Sequence, residues 1–139
     1  HCAFCDKSQD EVHKLIAREN ARGIPTSNIV LAGFSQGSAM TLHTGLRLPE
    51  KLAGMMALSG YLPLVDTAEA ERHSANNATP IFMAHGQYDP VVSLARAEAS
   101  LAELKRLGYD VRWHTYPMPH SVCAEEVADI SRFLNDVLA

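Results

Sequence analysis

Four short apolar runs, each followed by a turn and then a helical pattern, limit what this chain can fold into. They are NIVLAGF (28–34), GMMALSG (54–60), TPIFMAHG (79–86) and DVRWHTYP (110–117). Continuous runs of strand length, as opposed to in-and-out alternation, suit strands covered on both faces. Strands that alternate with helices predict a parallel sheet with helices packed on it. The expected class is α/β, with about four parallel strands flanked by helices.

The segments between the runs supply those helices. Ser8 and Glu11 have the form of a capping box, and Val12, Leu15 and Ile16 share the helical face that follows. A first helix is therefore expected over about 8–21, ended by Gly23 and Pro25. QGSAMTLHTGLRL reads as a second helix stopped by Pro49, with small residues at its start that suit close packing on a sheet. YLPLVDTAEAERHSANNA reads as a loop holding a short helix. SLARAEASLAELKRLG places Leu94, Leu101 and Leu104 on one face between Ser93 and Gly108. The last helix, about 122–138, has Glu125 and Glu126 in its first turn, where the dipole favours them. Val127, Ile130, Leu134 and Val137 are its expected buried stripe. Without a repeat, linker or low-complexity segment, residues 1–139 are expected to form a single domain.

The charge balance removes several classes of function. A formal net charge of −4, with no run of Lys and Arg, builds no footprint for nucleic acid. No apolar run approaches the roughly 18 residues of a membrane span, and nothing resembles a signal peptide. The expected location is cytoplasmic, with no stable membrane insertion. Cysteines at 2, 5 and 123 are too few for a disulfide framework. The C-x-x-C of HCAFC lacks a second ligand pair for zinc, so it reads as incidental thiols on a frayed terminus. No metal and no cofactor are expected. A first residue of His, not Met, suggests a piece of something longer or a processed product.

In open parallel sheets, ligands bind beyond the carboxyl ends of the strands. Ser35 follows the first run, and Ser59, Gly60 and Tyr61 end the second. Asp89 follows the third in HGQYD, and His120 follows the fourth in PMPH. A serine, an aspartate and a histidine thus emerge on one edge. Gly33-Phe34-Ser35-Gln36-Gly37 is a G-x-S-x-G sequence between a strand and a helix. A strained turn there exposes the serine Oγ and needs little bulk two residues before and after it. It also puts the Gln36 N–H at a helix N-terminus, where it can hold an oxyanion. On its own the pentapeptide is equally a tight strand-to-helix joint; the other strand ends favour a nucleophile.

A serine nucleophile needs a base, and the base needs an orienting acid. Of seven histidines, His1 and His13 belong to a terminus and an exposed helix face, His43 to the second helix and His73 to a polar loop. His114 lies within a strand, and His85 ends one as a structural, hydrogen-bonded residue. His120, on a loop beyond the last strand, is the candidate base. Asp89 is the favoured acid, with Asp66 in reserve. Tyr61, Leu62, Leu64 and Met118 lie near the same edge as candidate substrate-binding residues, each equally suited to core packing.

GIPTSNIVLAGFSQGSAM, LAGMMALSGYLPL, HGQYDPVV and WHTYPMPHSVCAEEV, in this order and spacing, resemble the phospholipase/carboxylesterase family of α/β hydrolases. That family includes bacterial carboxylesterases and acyl-protein thioesterases, and the resemblance covers nearly the whole chain from Ser8 onward. It implies Ser35 as nucleophile, Asp89 as acid, His120 as base and the Gln36 N–H as an oxyanion donor. Ser38 stands where the family usually has another Gly, and Ser93 where a Pro is common. The larger departure is the family's N-terminal half, with further central strands and an H-G-x-G loop carrying a second oxyanion donor. The fold expected is thus a partial α/β-hydrolase fold, the C-terminal part of the usual one.

The first strand, usually central, then becomes an edge, which invites pairing with another chain. A homodimer or higher oligomer covering 28–34 is expected. Loss of one oxyanion donor costs roughly 10² to 10³ in turnover. The expected function is a serine carboxylesterase acting on small-molecule esters of short to medium chain length, with thioesters or lysophospholipids as further substrates. The alternative is a weakly active or inactive half-domain acting as an oligomerising or interaction piece. A third option is another triad chemistry, such as a peptidase or a dienelactone-type hydrolase.

Overall fold

The computed structural model describes residues 3–138. One sheet runs in the order β1-β2-β3-β4, all parallel: β1 (Val30–Phe34), β2 (Gly54–Leu58), β3 (Ile81–Gly86) and β4 (Val111–Tyr116). The helices are α1 (Ala3–Ala21), α2 (Gln36–Arg47), α3 (Val65–Glu71), α4 (Leu94–Arg106) and α5 (Ala124–Leu138). Each crossover from β1 to β4 advances one place in the same direction. Right-handed crossovers therefore send α2, α3 and α4 to the same face.

Side-chain alternation along the strands divides the core in two. Met55, Ala57, Ile81 and Met83 face α2 and α4 in the larger cluster, where Leu42, Leu46 and Leu104 complete the packing. Met56, Phe82 and Ala84 face the other way, against Phe133 of α5. Gly45 brings α2 down onto the sheet, since a Cβ there would lie 2.5 Å from the Met55 Sδ. Ser93 caps α4 by accepting the Arg96 N–H, and Gly108, at φ +90°, ends that helix in a left-handed turn.

Several expectations are corrected. Helix α1 already runs from Ala3, so Ser8 is an interior residue and the predicted capping box is not a cap; nothing between Ala3 and Lys7 breaks the helical pattern. Leu15 is 60% exposed, because α1 packs on α2 through Ile16 while its flank beside β1 stays open. In α5 one residue of the expected stripe lies outside it. Val127 is 55% exposed, while Phe133 and Glu126 are buried and Ile130, Leu134 and Val137 are half-buried around them. Burial pushes the Glu126 carboxyl pKa up, against a smaller opposing pull from the Cys123 backbone N–H. Cys5 is buried and disulfide-bonded, not an incidental thiol; Cys2 lies outside the described residues. Coverage of both strand faces holds for β2 and β3 but not for β1. There Ala32 and Phe34, on the α5 side of the sheet, are exposed.

A buried polar residue fastens the α2–β2 connection to the start of β3. Asn76 has no solvent exposure. Its Oδ1 accepts from the Leu52 N–H and the Thr79 hydroxyl, both at 2.8 Å. Its Nδ2 donates to the carbonyls of Leu48 and Glu50 at 3.2 and 2.9 Å. All four capacities of the amide are filled, so truncation leaves several buried backbone groups unpaired. Asn76→Ala is expected to lower unfolding free energy by about 2–4 kcal/mol. Urea denaturation checks this through a lower midpoint at unchanged slope.

Candidate functional site

The carboxyl edge of the sheet brings the site together. Ser35 sits at φ 58°, ψ −118°, outside the regions L-residues favour, between the end of β1 and the first residue of α2. Two contacts hold that strained backbone. The Ser35 N–H extends the sheet ladder to the Leu58 carbonyl at 2.8 Å, and the Ser35 carbonyl accepts the Ser38 N–H at 3.0 Å to start the helix. A Cβ at Gly33 would lie 2.1 Å from the Gly37 carbonyl oxygen, and one at Gly60 2.6 Å from the Ser35 carbonyl oxygen. Bare backbone at 33 and 60 is what lets the turn close. At Gly37 a Cβ would meet nothing within 4 Å, so the spacing rule is enforced on one side only by this chain's own contacts. Ser38, the departure from the family's glycine, is buried, and its Oγ lies where a side chain at Gly60 would go.

His120 reaches Ser35 from the β4–α5 loop. Its Nε2 lies 3.0 Å from the Ser35 Oγ, and its Nδ1 lies 2.6 Å from the Asp89 Oδ2. A carboxylate only accepts, so the Nδ1 carries the proton and the Nε2 is free to accept the serine hydroxyl. Asp89 is buried, and its Oδ1 accepts the N–H groups of Val91 and Val92 at 2.8 and 2.9 Å. Burial pushes this carboxyl up, but the bonds from His120, Val92 and Val91 outweigh it and hold the pKa below the usual value. A depressed carboxylate contributes stability above its unfolded pKa, lost as pH falls through the folded value. Asp89 therefore stays ionised through the ordinary carboxylate range.

Three further residues shape this arrangement, and the motifs do not announce them. Phe34 is 40% exposed, and its ring centroid lies 4.8 Å from that of His120. His85, buried, donates from Nε2 to the Val92 carbonyl at 2.7 Å, and the same nitrogen lies 3.5 Å from the Asp89 Oδ2. Gly86 lets the His120 loop cross the end of β3, where the Tyr88 N–H donates to the Met118 carbonyl. Only the glycine beside a strand-ending histidine could have hinted at that crossing. The Gln36 N–H lies in the unbonded first turn of α2, adjoining Ser35.

The other predicted residues divide. Tyr61 and Leu64 line a cavity of about 270 Å³ that Gln36 also lines. Leu62 and Met118 do not line it: Leu62 is packed in the larger core cluster and Met118 in the smaller one. Both follow strand ends but turn inward, because each neighbour along the chain takes the outward position. Asp66, the reserve acid, is exposed in the first turn of α3 and makes no contact with His120. His13 is half-buried, not exposed. His43 is buried, its pKa lowered by desolvation and then by Arg47. His73 accepts the Ala75 N–H, and His114 stacks on Phe82.

Comparison with known proteins identifies the family. The family described as Phospholipase/Carboxylesterase matches residues 3–138. Acyl-protein thioesterase 1 of Neurospora crassa is 47% identical over 135 residues, covering 94% of this chain and 55% of that protein. The crystal structure of Arabidopsis thaliana SOBER1 superposes with a TM-score of 0.91 at 29% identity, over 97% of this chain and 65% of that one. Zea mays acyl-protein thioesterase 2 superposes with a TM-score of 0.85 at 25% identity, over 97% and 65%. The chain thus spans a little over half the length of the Neurospora crassa relative.

Gly86 gives the site a direct test. An added Cβ would lie 2.2 Å from the Pro119 carbonyl oxygen and 2.4 Å from that of Met118, both backbone atoms. Gly86→Ala is expected to push the loop and His120 away from Ser35. The rate of Ser35 phosphonylation by a fluorophosphonate should fall about 10²-fold, with the circular dichroism spectrum retained.

Proposed function

The chain belongs to the phospholipase/carboxylesterase family, and from that premise we propose that it is a serine hydrolase of carboxylic esters and thioesters. The observation that carries this reading is the Ser35–His120–Asp89 relay, with 3.0 and 2.6 Å contacts at the carboxyl edge of the sheet. His120 Nε2 takes the Ser35 proton as Oγ attacks the acyl carbon. The carbonyl electron pair moves to oxygen, where the Gln36 N–H donates to it. When the tetrahedral intermediate collapses, the alkoxide or thiolate leaves with the proton returned by His120. Water then attacks the acyl-enzyme, with His120 again as base, and the carboxylic acid departs. Asp89 holds the imidazole in the tautomer that both steps need. Short to medium acyl chains fit a cavity of about 270 Å³ beside Gln36.

Hydrolysis of p-nitrophenyl esters of increasing chain length tests the proposal. Ser35→Ala is expected to lower kcat by at least about 10³-fold. Intact mass should show one fluorophosphonate adduct on the wild-type chain and none on the variant. Absence of both turnover and adduct would sink the esterase reading.

A second reading, an oligomerising piece, draws on β1. Among the described residues its outer side has no strand neighbour, and an apolar groove of about 460 Å³ runs beside it, lined by Val12, Leu15, Val30 and Met40. Pairing of this edge with a second copy predicts a light-scattering mass of two or more chains at micromolar concentration. A single-chain mass removes that reading and leaves the esterase proposal untouched.

A further inference from the structure

The cavity that Gln36 lines is also lined by a cation that the triad does not use. Arg47, Arg106, Arg112 and Arg132 each pair with a carboxylate. Arg96, among the described residues, pairs with none. Its guanidinium lies over the Tyr61 ring, with Cζ 3.6 Å from the ring centroid, well within cation–π distance. Both residues line the cavity that Gln36 also lines.

This placement is built by the fold. The Leu62 N–H, next to Tyr61, donates to the Ser100 Oγ at 2.9 Å, and that hydroxyl donates to the Arg96 carbonyl at 3.1 Å. One buried serine of α4 thereby ties the β2–α3 loop to the turn carrying Arg96. Arg96 is the third residue of α4, where the helix dipole disfavours a cation, and no acidic side chain occupies that first turn to offset it. A guanidinium kept there, stacked and without a carboxylate, suits an anion that arrives with a ligand.

We propose that Arg96, held by Tyr61, makes this cavity a subsite for acyl chains that end in a carboxylate, so that half-esters and thioesters of short dicarboxylic acids are favoured substrates. The proposal rests on the esterase reading. With the acyl oxygen at the Gln36 N–H, the chain is placed in the cavity that Gln36 lines. Ala39, Met40 and Leu64, which also line it, offer apolar contacts to the methylenes, and the terminal carboxylate pairs with the Arg96 N–H groups. The positioning of Arg96 gives discrimination between acyl chains; it takes no part in the bond changes at Ser35.

The test compares p-nitrophenyl hexanoate with mono-p-nitrophenyl adipate, equal in chain length and different in terminal charge, using the full chain. The ratio of kcat/KM for adipate over hexanoate is expected to fall about 5- to 20-fold in Arg96→Gln, with partial recovery in Arg96→Lys. The wild-type ratio should shrink with added salt, since the site is open to solvent. An unchanged ratio in Arg96→Gln overturns the proposal. A second readout is independent of turnover: the Arg96 Nε–H resonance should shift saturably on titration with monomethyl adipate and not with methyl hexanoate. Equal or absent shifts overturn the subsite even if esters are hydrolysed. A saturable shift without any ester turnover keeps the subsite and rejects the esterase reading.

Discussion

The backbone of Ser35 is the constraint on which the rest of the site depends. A serine at φ 58° is strained by about 1–3 kcal/mol relative to an ordinary turn. It persists because neighbours on both sides are over-determined: the ladder bond to Leu58 fixes the strand end, and the helix start fixes the carbonyl. Gly33 and Gly60 then allow two other backbones to pass where side chains would collide. Remove either glycine and the turn opens, taking with it the geometry that sets Oγ against His120. The parallel sheet matters to function chiefly as the rigid frame that keeps this turn closed.

The same logic explains what could be read from the chain beforehand. Buried parallel strands appear as continuous apolar runs, so β2 and β3 were visible as such, and the residues just beyond their ends were candidates by topology alone. Ser35, Asp89 and His120 do meet in the structure. What escaped were residues whose importance lies in contacts between distant segments. Gly86 matters because the His120 loop crosses it, and Asn76 because it fills four backbone and side-chain partners at once. Neither has a local pattern, since a periodicity reports which way a residue faces and not what lies opposite. In α5, Ile130, Leu134 and Val137 pack as the periodicity implies, and only Val127 departs. Glu126 is buried where Val127 is exposed, a swap between neighbouring residues that an apolar period does not report.

β1 shows the limit of reading hydrophobicity as burial. VLAGF has the composition of a central strand, yet its pattern in the structure is half-open, with Ala32 and Phe34 exposed on one face and no strand on the outer edge. Composition records the environment a strand is suited to, and the described residues supply only part of that environment. Gly37 points the same way. Its lack of a side chain has no steric cause among them, unlike that of Gly33. Apolar residues and a bare backbone position thus converge on one flank, where the groove lined by Leu15 and Met40 also lies.

The first turn of α4 carries a different kind of tension. A stabilising choice at position 96 would be an acid, which the dipole favours, or a small residue that leaves Tyr61 free. The chain has neither. Instead it places an arginine there, and Ser100 locks the neighbouring loop so that an aromatic ring lies under the guanidinium. The charge at Arg96 lies on a cavity that Gln36, the residue after the strained Ser35, also lines. Local departures from the most stable choice tend to collect where a ligand is handled. A strained turn next to that cavity and an arginine without a carboxylate on its wall are the two features behind the proposed subsite for a chain with a polar end.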